Sequence, residues 1–328
     1  MTLTRPLPDG PVLFMGTPAF AVPTLQAMLD AGWPIAGVVC QPDKPAGRGQ
    51  KLTPPPVKEL ALAKGLPVFQ PDRVRKNPEF IEQLRALDLA LIVVVAYGKI
   101  LPQELLDLPR HGCLNLHGSL LPKYRGAAPI QWAIIRGETV TGVTLMRMDV
   151  GMDTGDMLAT AELPIGPDDT TATLFPKLAE VGAKLAIERI PDWVAGTLPP
   201  IPQAHDQHTM APMLAKDTGR LDWTRPAKEL GDLIRGVTPW PGATTELLGQ
   251  PLKIAAARPE AGGGASPGTL LGLDADGWRV ATGDGVLLLT MVQTPGKPAR
   301  AAADVARGWR ELAAGVRLGE SVGAAGGT

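Results

Sequence analysis

Cysteine is nearly absent: Cys40 and Cys113 are the only two in 328 residues. Two thiols cannot build a disulfide framework, and both fall in apolar, strand-like runs. They read as reduced core side chains of a cytosolic protein. An excess of one charge sign is missing as well. The formal net charge is -1, so no global basic field announces nucleic acid, and only local patches are left to consider. No apolar run approaches ~18 residues, and the N-terminus lacks the charged, apolar, small-residue order of a secretory leader. The expectation is a soluble cytoplasmic protein with no membrane partner. Nucleotide signatures are also lacking. Gly16-Thr17-Pro18 does not continue into Gly-x-Gly-x-x-Gly, and no Gly-x-x-x-x-Gly-Lys-Ser/Thr occurs, which argues against a dinucleotide-dependent dehydrogenase. His111 and His117 are the only histidines of the first half and no His-x-x-x-His is present, so no metal site is expected.

What the chain does contain is core and punctuation. Hydrophobic residues make up 45% and charged residues 20%, with 34 prolines and 38 glycines. That composition fits a globular, loop-rich chain long enough for two domains. Short apolar runs at 11–15, 35–40, 66–69 and 89–95 alternate with helical patterns at 18–31, 56–64 and 77–87. Alternation of this kind predicts a mainly parallel sheet covered on both faces, with ligands bound beyond the carboxyl ends of its strands. Pro18 is expected in a first helical turn, where its missing N–H is harmless. Residues 41–52 show no periodicity and read as a loop. Further helices are expected at 129–137 and 170–194, with strands at 142–148 and 157–165. The Pro-rich stretch 196–208 reads as a linker. Beyond it, a helix at 226–235 precedes five short strand candidates between 243 and 292, the spacing of a small antiparallel barrel. The domain expectation is therefore 1–195, a linker 196–208, a second domain 209–318, and a disordered Gly/Ala-rich tail at 319–328, with fraying from 318.

Chemistry concentrates at 114–126. Asn115 and His117 lie two apart on a strand that ends at Gly118, so both project from one face. An amide donor and an imidazole aimed at one point suit a tetrahedral oxyanion and a proton. The segment 148–156 can bring a carboxylate to orient the imidazole and support its charged form. Asp149 and Asp156 serve equally well as turn formers or surface charges; Asp153, at the loop tip, is the candidate. Residues 43–51 carry Lys44, Arg48 and Lys51 among small residues. A solvated loop is the plainer reading, and a mobile finger that reaches phosphates is the sharper one. Lys123 and Arg125 lie on the motif side and can join it. Near the C-terminus, Lys297, Arg300, Arg307, Arg310 and Arg317 face only Asp304 and Glu311.

Asn115-Leu116-His117-Gly118-Ser119-Leu120-Leu121-Pro122 and Asp149-Val150-Gly151-Met152-Asp153-Thr154-Gly155-Asp156 resemble the signature of the folate-dependent formyltransferases. Gly16-Thr17-Pro18, the 41–49 segment, Val93-Val94-Val95-Ala96-Tyr97-Gly98, Tyr124-Arg125-Gly126-Ala127-Ala128-Pro129-Ile130-Gln131 and Pro239-Trp240-Pro241 extend the resemblance over nearly the whole chain. They narrow it to the branch acting on methionyl initiator tRNA. The resemblance implies an α/β architecture: a Rossmann-like, mainly parallel sheet followed by a small OB-like β-barrel domain that helps hold tRNA. It implies 10-formyltetrahydrofolate as donor, the methionyl α-amine as acceptor, no metal, and a monomer. Its catalytic residues fall on Asn115, His117 and Asp153. Its folate contacts fall on Ser119, Leu120, Leu121 and Pro122 and on Val95, Ala96 and Tyr97. Its tRNA contacts fall on Lys44, Arg48 and Lys51, with Lys123 and Arg125 added from the residue reading. Joined to that reading, it predicts direct attack by the amine without a covalent enzyme intermediate. Formyl transfer to an amino sugar nucleotide or to glycinamide ribonucleotide, hydrolysis of the donor, and non-catalytic RNA binding are the alternatives. The cationic loop and the second domain favour tRNA, and the intact Asn–His–Asp set disfavours a non-catalytic role.

Overall fold

The computed structural model of the protein describes residues 7–46 and 49–319. The chain begins with β1 (Val12–Gly16), α1 (Val22–Asp30), β2 (Ile35–Val39), the short β3 (Lys44–Ala46) and β4 (Lys51–Thr53), α2 (Pro56–Ala63) and β5 (Val68–Phe69). Next come α3 (Pro78–Arg85), β6 (Leu91–Val95), α4 (Gln103–Leu106), β7 (Cys113–His117), α5 (Pro129–Ile135), β8 (Val140–Arg147), β9 (Met157–Pro164) and α6 (Thr171–Val194). Seven strands form one sheet in the order β5-β2-β1-β6-β7-β8-β9. β5 through β7 pair in parallel, and β8 and β9 continue antiparallel. This is the mainly parallel sheet expected. Burial explains the pattern: every residue of β1 and β6 is buried, as strands covered on both faces require, whereas edge strand β9 alternates.

Local chemistry sets the boundaries. Asn77 caps α3 by accepting a hydrogen bond from the Phe80 N–H, and Pro78 occupies its first turn. Pro18 does not enter a first helical turn as expected. It stands extended before a 3-10 turn, Ala19–Ala21, and Pro23 takes the early position in α1. Gly16 is required by close approach, since a Cβ there would sit 2.7 Å from the Ala21 Cβ and 3.0 Å from the Val95 carbonyl oxygen. Residues 41–52 are not wholly loop. β3 and β4 pair antiparallel, Lys44 with Thr53 and Ala46 with Lys51. All of β4 is exposed, so no apolar alternation marks it in the sequence. The four-residue α4 is likewise too short to show a helical period.

By contact the chain separates into two compact units. The first is Met1–Pro129, Val140–Pro164 and Phe175–Pro212; the second is Ile130–Thr139, Ile165–Leu174 and Met213–Thr328. The stretch 196–208 therefore belongs to the first unit. It is held there by a backbone pair between Ile201 and Met157 and by the buried Gln203.

The second unit contains α7 (Ala227–Gly236), β10 (Ala243–Leu247), β11 (Gln250–Glu260), β12 (Leu270–Leu273), β13 (Trp278–Ala281), β14 (Val286–Gln293), β15 (Arg300–Ala301) and α8 (Ala302–Arg307). Its antiparallel sheet runs β10-β11-β14-β13-β12, with β15 on β14. The segment 315–319 bridges the two ends, pairing Leu318 with Leu247 and Arg317 with Thr269. The sheet thereby closes as the small barrel expected. Leu318 is buried in that closure, so the chain is not frayed there. Except for Gly319, the expected disordered tail lies outside the described residues. Trp278 fills the barrel core and donates its indole N–H to the Ala302 carbonyl at 2.8 Å.

Candidate active site

β7 ends at the carboxyl edge of the parallel strands, where the sheet changes direction toward β8. Val94 pairs with Asn115 on one side and Thr144 pairs with His117 on the other. Asn115 is half-buried, and no other described residue hydrogen-bonds its side chain. An amide so placed is available as a donor. His117 is buried and held from both sides of its ring. Nε2 lies 2.8 Å from the Tyr124 carbonyl oxygen, which can only accept, so Nε2 carries a proton. Nδ1 faces Asp153 Oδ1 at 3.6 Å. A neutral His117 thus keeps its lone pair at Nδ1, and a proton taken up there sits beside a carboxylate.

Asp153 is fixed in turn. Its Oδ2 accepts the Gly126 N–H at 2.9 Å, leaving Oδ1 toward the imidazole. Asp149 is the turn former: its Oδ1 accepts the Gly151 N–H at 3.0 Å and the Thr154 hydroxyl at 2.7 Å. Gly155 lets this loop lie against β8, because a Cβ there would overlap the Arg147 carbonyl oxygen.

Beside the triad, the 118–122 turn is built on a buried hydroxyl. Thr144 Oγ1 donates to the Ser119 carbonyl at 2.7 Å and accepts from the Leu121 N–H at 3.1 Å. Ser119 is fully buried and its hydroxyl donates to the Lys123 carbonyl. Leu121 is buried, Leu120 and Pro122 are half-buried, and the Leu121–Pro122 peptide is cis. After β6, Ala96 is exposed in a left-handed conformation, φ 48°. Val95 and Tyr97 are both buried. Tyr97 belongs to a core cluster with Leu13, Met15, Val39 and Leu101, its hydroxyl has no partner among the described residues, and burial pushes its pKa up to about 12. The Tyr97 carbonyl ties neighbouring loops together, accepting from Thr17 Oγ1 and from Gln41 Nε2. Of the seven expected folate contacts, Ala96, Leu120 and Pro122 present accessible surface, whereas Val95, Tyr97, Ser119 and Leu121 are buried.

The cationic candidates separate. Lys44, Lys51 and Lys123 are exposed, and Arg48 lies outside the described residues. The hairpin base is clasped: Lys58 Nζ donates to both Asp43 oxygens and to Gln70, and Gln70 Nε2 donates to Asp43. The Gln70 hydrogen bond, followed by that of Lys58, holds the Asp43 pKa below its ordinary 3.8. Arg125 departs from expectation. It is 4% exposed, with its guanidinium on Gln203 Oε1 at 3.0 and 2.6 Å and on His205 Nδ1 at 3.2 Å. A side chain so enclosed does not present its charge to a polynucleotide.

Sequence reasoning missed the Tyr124 carbonyl, Thr144 and Gln203. A backbone carbonyl has no residue signature. Gln203 sits in an aperiodic Pro-rich stretch, 78 residues from the arginine it binds. Among the described residues, no group of three or more His, Cys, Asp or Glu side chains gathers as a metal site.

A carboxylate-oriented histidine and an unengaged amide at the carboxyl edge of such a sheet are groups suited to proton transfer and to holding an oxyanion. Comparison with known proteins gives the family. Residues 11–190 match the formyl transferase family and residues 213–310 match the formyl transferase C-terminal domain. A methionyl-tRNA formyltransferase of Myxococcus xanthus is 52% identical over 297 residues, covering 90% of this chain and 94% of its own. One from Synechococcus is 49% identical over 318 residues, covering 94% and 98%. The chain belongs to the methionyl-tRNA formyltransferase family. Among solved structures, a sugar 3N-formyl transferase, WlaRD, crystallised with dTDP and 5-N-formyl-THF, shares the fold at a TM-score of 0.65 and 18% identity. That match covers 88% of this chain and 98% of WlaRD. HypX from Aquifex aeolicus, in complex with tetrahydrofolic acid, aligns at a TM-score of 0.57 and 20% identity, covering 90% of this chain and 46% of HypX.

Proposed function

We propose that this chain formylates the α-amine of methionyl initiator tRNA, using 10-formyltetrahydrofolate, as a cytoplasmic monomer. The observation that carries the reading is the His117 Nδ1–Asp153 pair beside the unengaged Asn115 amide. The neutral amine attacks the formyl carbon, and the Asn115 N–H groups donate to the oxyanion that forms. His117 Nδ1 takes the amine proton, and the imidazolium is stabilised by Asp153 while its positive charge faces the oxyanion. The intermediate collapses, the bond from carbon to the folate nitrogen breaks, and the proton passes to that nitrogen. The exposed faces of Ala96, Leu120 and Pro122 supply a wall for the pterin. Lys44, Arg48, Lys51 and Lys123 supply phosphate contacts, and the closed barrel of the second unit helps hold the tRNA. No helix among the described residues is long and apolar enough to cross a membrane.

The test is an acceptor competition. Purified protein with the formyl donor is offered charged initiator tRNA, an amino sugar nucleotide, or water alone. Formylation of the tRNA is expected, and it should be abolished in folded His117→Ala and Asp153→Ala. Near-normal turnover in either variant defeats the assignment. Arg48→Ala is expected to weaken use of tRNA far more than donor binding; an equal loss of folate affinity refutes the phosphate-contact role.

A further inference from the structure

The stretch expected to tether two domains instead runs along the catalytic loops of the first unit. Gln203 is 4% exposed and all four of its amide hydrogen-bonding positions are used. Its Oε1 accepts from Arg125 Nε and Nη2 at 3.0 and 2.6 Å. Its Nε2 donates to the Asp153 carbonyl at 2.9 Å and the Gly155 carbonyl at 2.7 Å. One side chain thus joins the loop carrying Tyr124 to the loop carrying Asp153, and these two residues hold the two nitrogens of His117.

A second row of bonds runs beside it. Thr209 Oγ1 accepts the Tyr124 N–H at 2.9 Å, and its carbonyl accepts the Arg125 N–H at 2.9 Å. The Ala211 N–H donates to the Arg125 carbonyl at 2.7 Å. Tyr124 and Asp153 both stand in the left-handed region, at φ 63° and 54°. Residues other than glycine persist there only where their surroundings hold them. The surroundings here are Gln203, Arg125 and Thr209.

We infer that Gln203, acting through Arg125 and assisted by Thr209, is a positioning residue that locks the imidazole and carboxylate of formyl transfer in register. Its four hydrogen bonds go to Arg125 and to two loop carbonyls, and none goes to His117 or Asn115. The inference rests on the reading of His117 and Asp153 as the proton-handling pair. Arg125, expected in the tRNA set, acts here as the internal partner of this clamp.

The test measures kcat, both KM values and the His117 Nε2–H signal in ¹H–¹⁵N spectra for Gln203→Ala, Gln203→Glu and Thr209→Val, in the full chain. Misplacing a catalytic group by about 1 Å costs about 100-fold in rate, so Gln203→Ala is expected to lose about that factor in kcat with both KM values nearly unchanged. The Nε2–H signal should exchange faster with water. Gln203→Glu keeps an acceptor for Arg125 but sets a carboxylate against two carbonyl oxygens, and it should be equally impaired. Thr209→Val, on a half-buried site, retains the fold and removes only the acceptor of the Tyr124 N–H. It is expected to shift the Nε2–H signal and lower kcat, and it decides the matter if Gln203→Ala does not fold. Wild-type kcat and an unmoved Nε2–H signal in the folded variants overturn the clamp. His117→Ala in the same series separates the two failures. Its inactivity beside active Gln203 variants defeats the clamp alone, whereas its activity defeats the site on which the clamp rests.

Discussion

Thr144→Val changes one atom's chemistry and almost no volume. The Thr144 side chain is fully buried on β8, opposite His117. Its hydroxyl satisfies two backbone groups of the 118–122 turn, the Ser119 carbonyl at 2.7 Å and the Leu121 N–H at 3.1 Å. Valine fills the same space and satisfies neither. A buried backbone group left without a partner costs about 1–3 kcal/mol, so two of them cost about 2–5 kcal/mol once the added methyl contact is allowed for. Near the middle of that range, about 3 kcal/mol lowers the melting temperature of a unit of this size by about 6–12 °C. Thr144→Ser restores the hydroxyl and removes one methyl, a loss of about 1 kcal/mol. Thermal and urea unfolding of the three proteins measures this, and KM for the formyl donor tests whether the loosened turn serves the folate. A Thr144→Val protein that melts with the wild type refutes the reasoning, as does a Thr144→Ser protein as unstable as Thr144→Val.

Three other outcomes follow from the same structure. Asn115→Ala removes the unengaged donor and is expected to lower kcat by about 10²–10³ with little change in either KM; a loss confined to KM reassigns Asn115 to binding. Burial pushes the Cys40 thiol up to about 11 and the Cys113 thiol higher still, so both should resist a thiol reagent at pH 8 until the protein is unfolded. Fast labelling of the native chain contradicts their burial. The Asp43 carboxyl is lowered from 3.8 by Gln70 and Lys58, so the clasp's contribution is complete above that value and is lost as pH falls below it through the lowered folded value. A ¹³C titration of the Asp43 carboxyl with its midpoint at or above 3.8 is inconsistent with the clasp. Asp43→Asn should differ from the wild type at neutral pH and converge with it in acid.

The sequence by itself determined the architecture and singled out Asn115, His117 and Asp153 as candidates. Runs such as Leu91–Val95 and the helical spacing of 171–194 report burial on one or two faces, and burial of that kind is periodic along the chain. Asn115 and His117 were legible as a pair for the same reason, since alternation along β7 puts them on one face. Asp153 was legible as the tip of a glycine-flanked loop. The tertiary structure alone decided how these groups are held. The proton on Nε2 follows from the Tyr124 carbonyl, which no side-chain pattern announces. Whether Tyr97 faced a ligand or the core turned on which way the chain leaves β6. Arg125 reads in the sequence as one more surface cation, yet it is enclosed by Gln203 from a stretch that reads as a tether. The bond between them joins residues 78 positions apart in two irregular segments. Contacts between distant loops leave no period in a sequence, because nothing about either segment repeats; only the folded sheet brings them to the same edge.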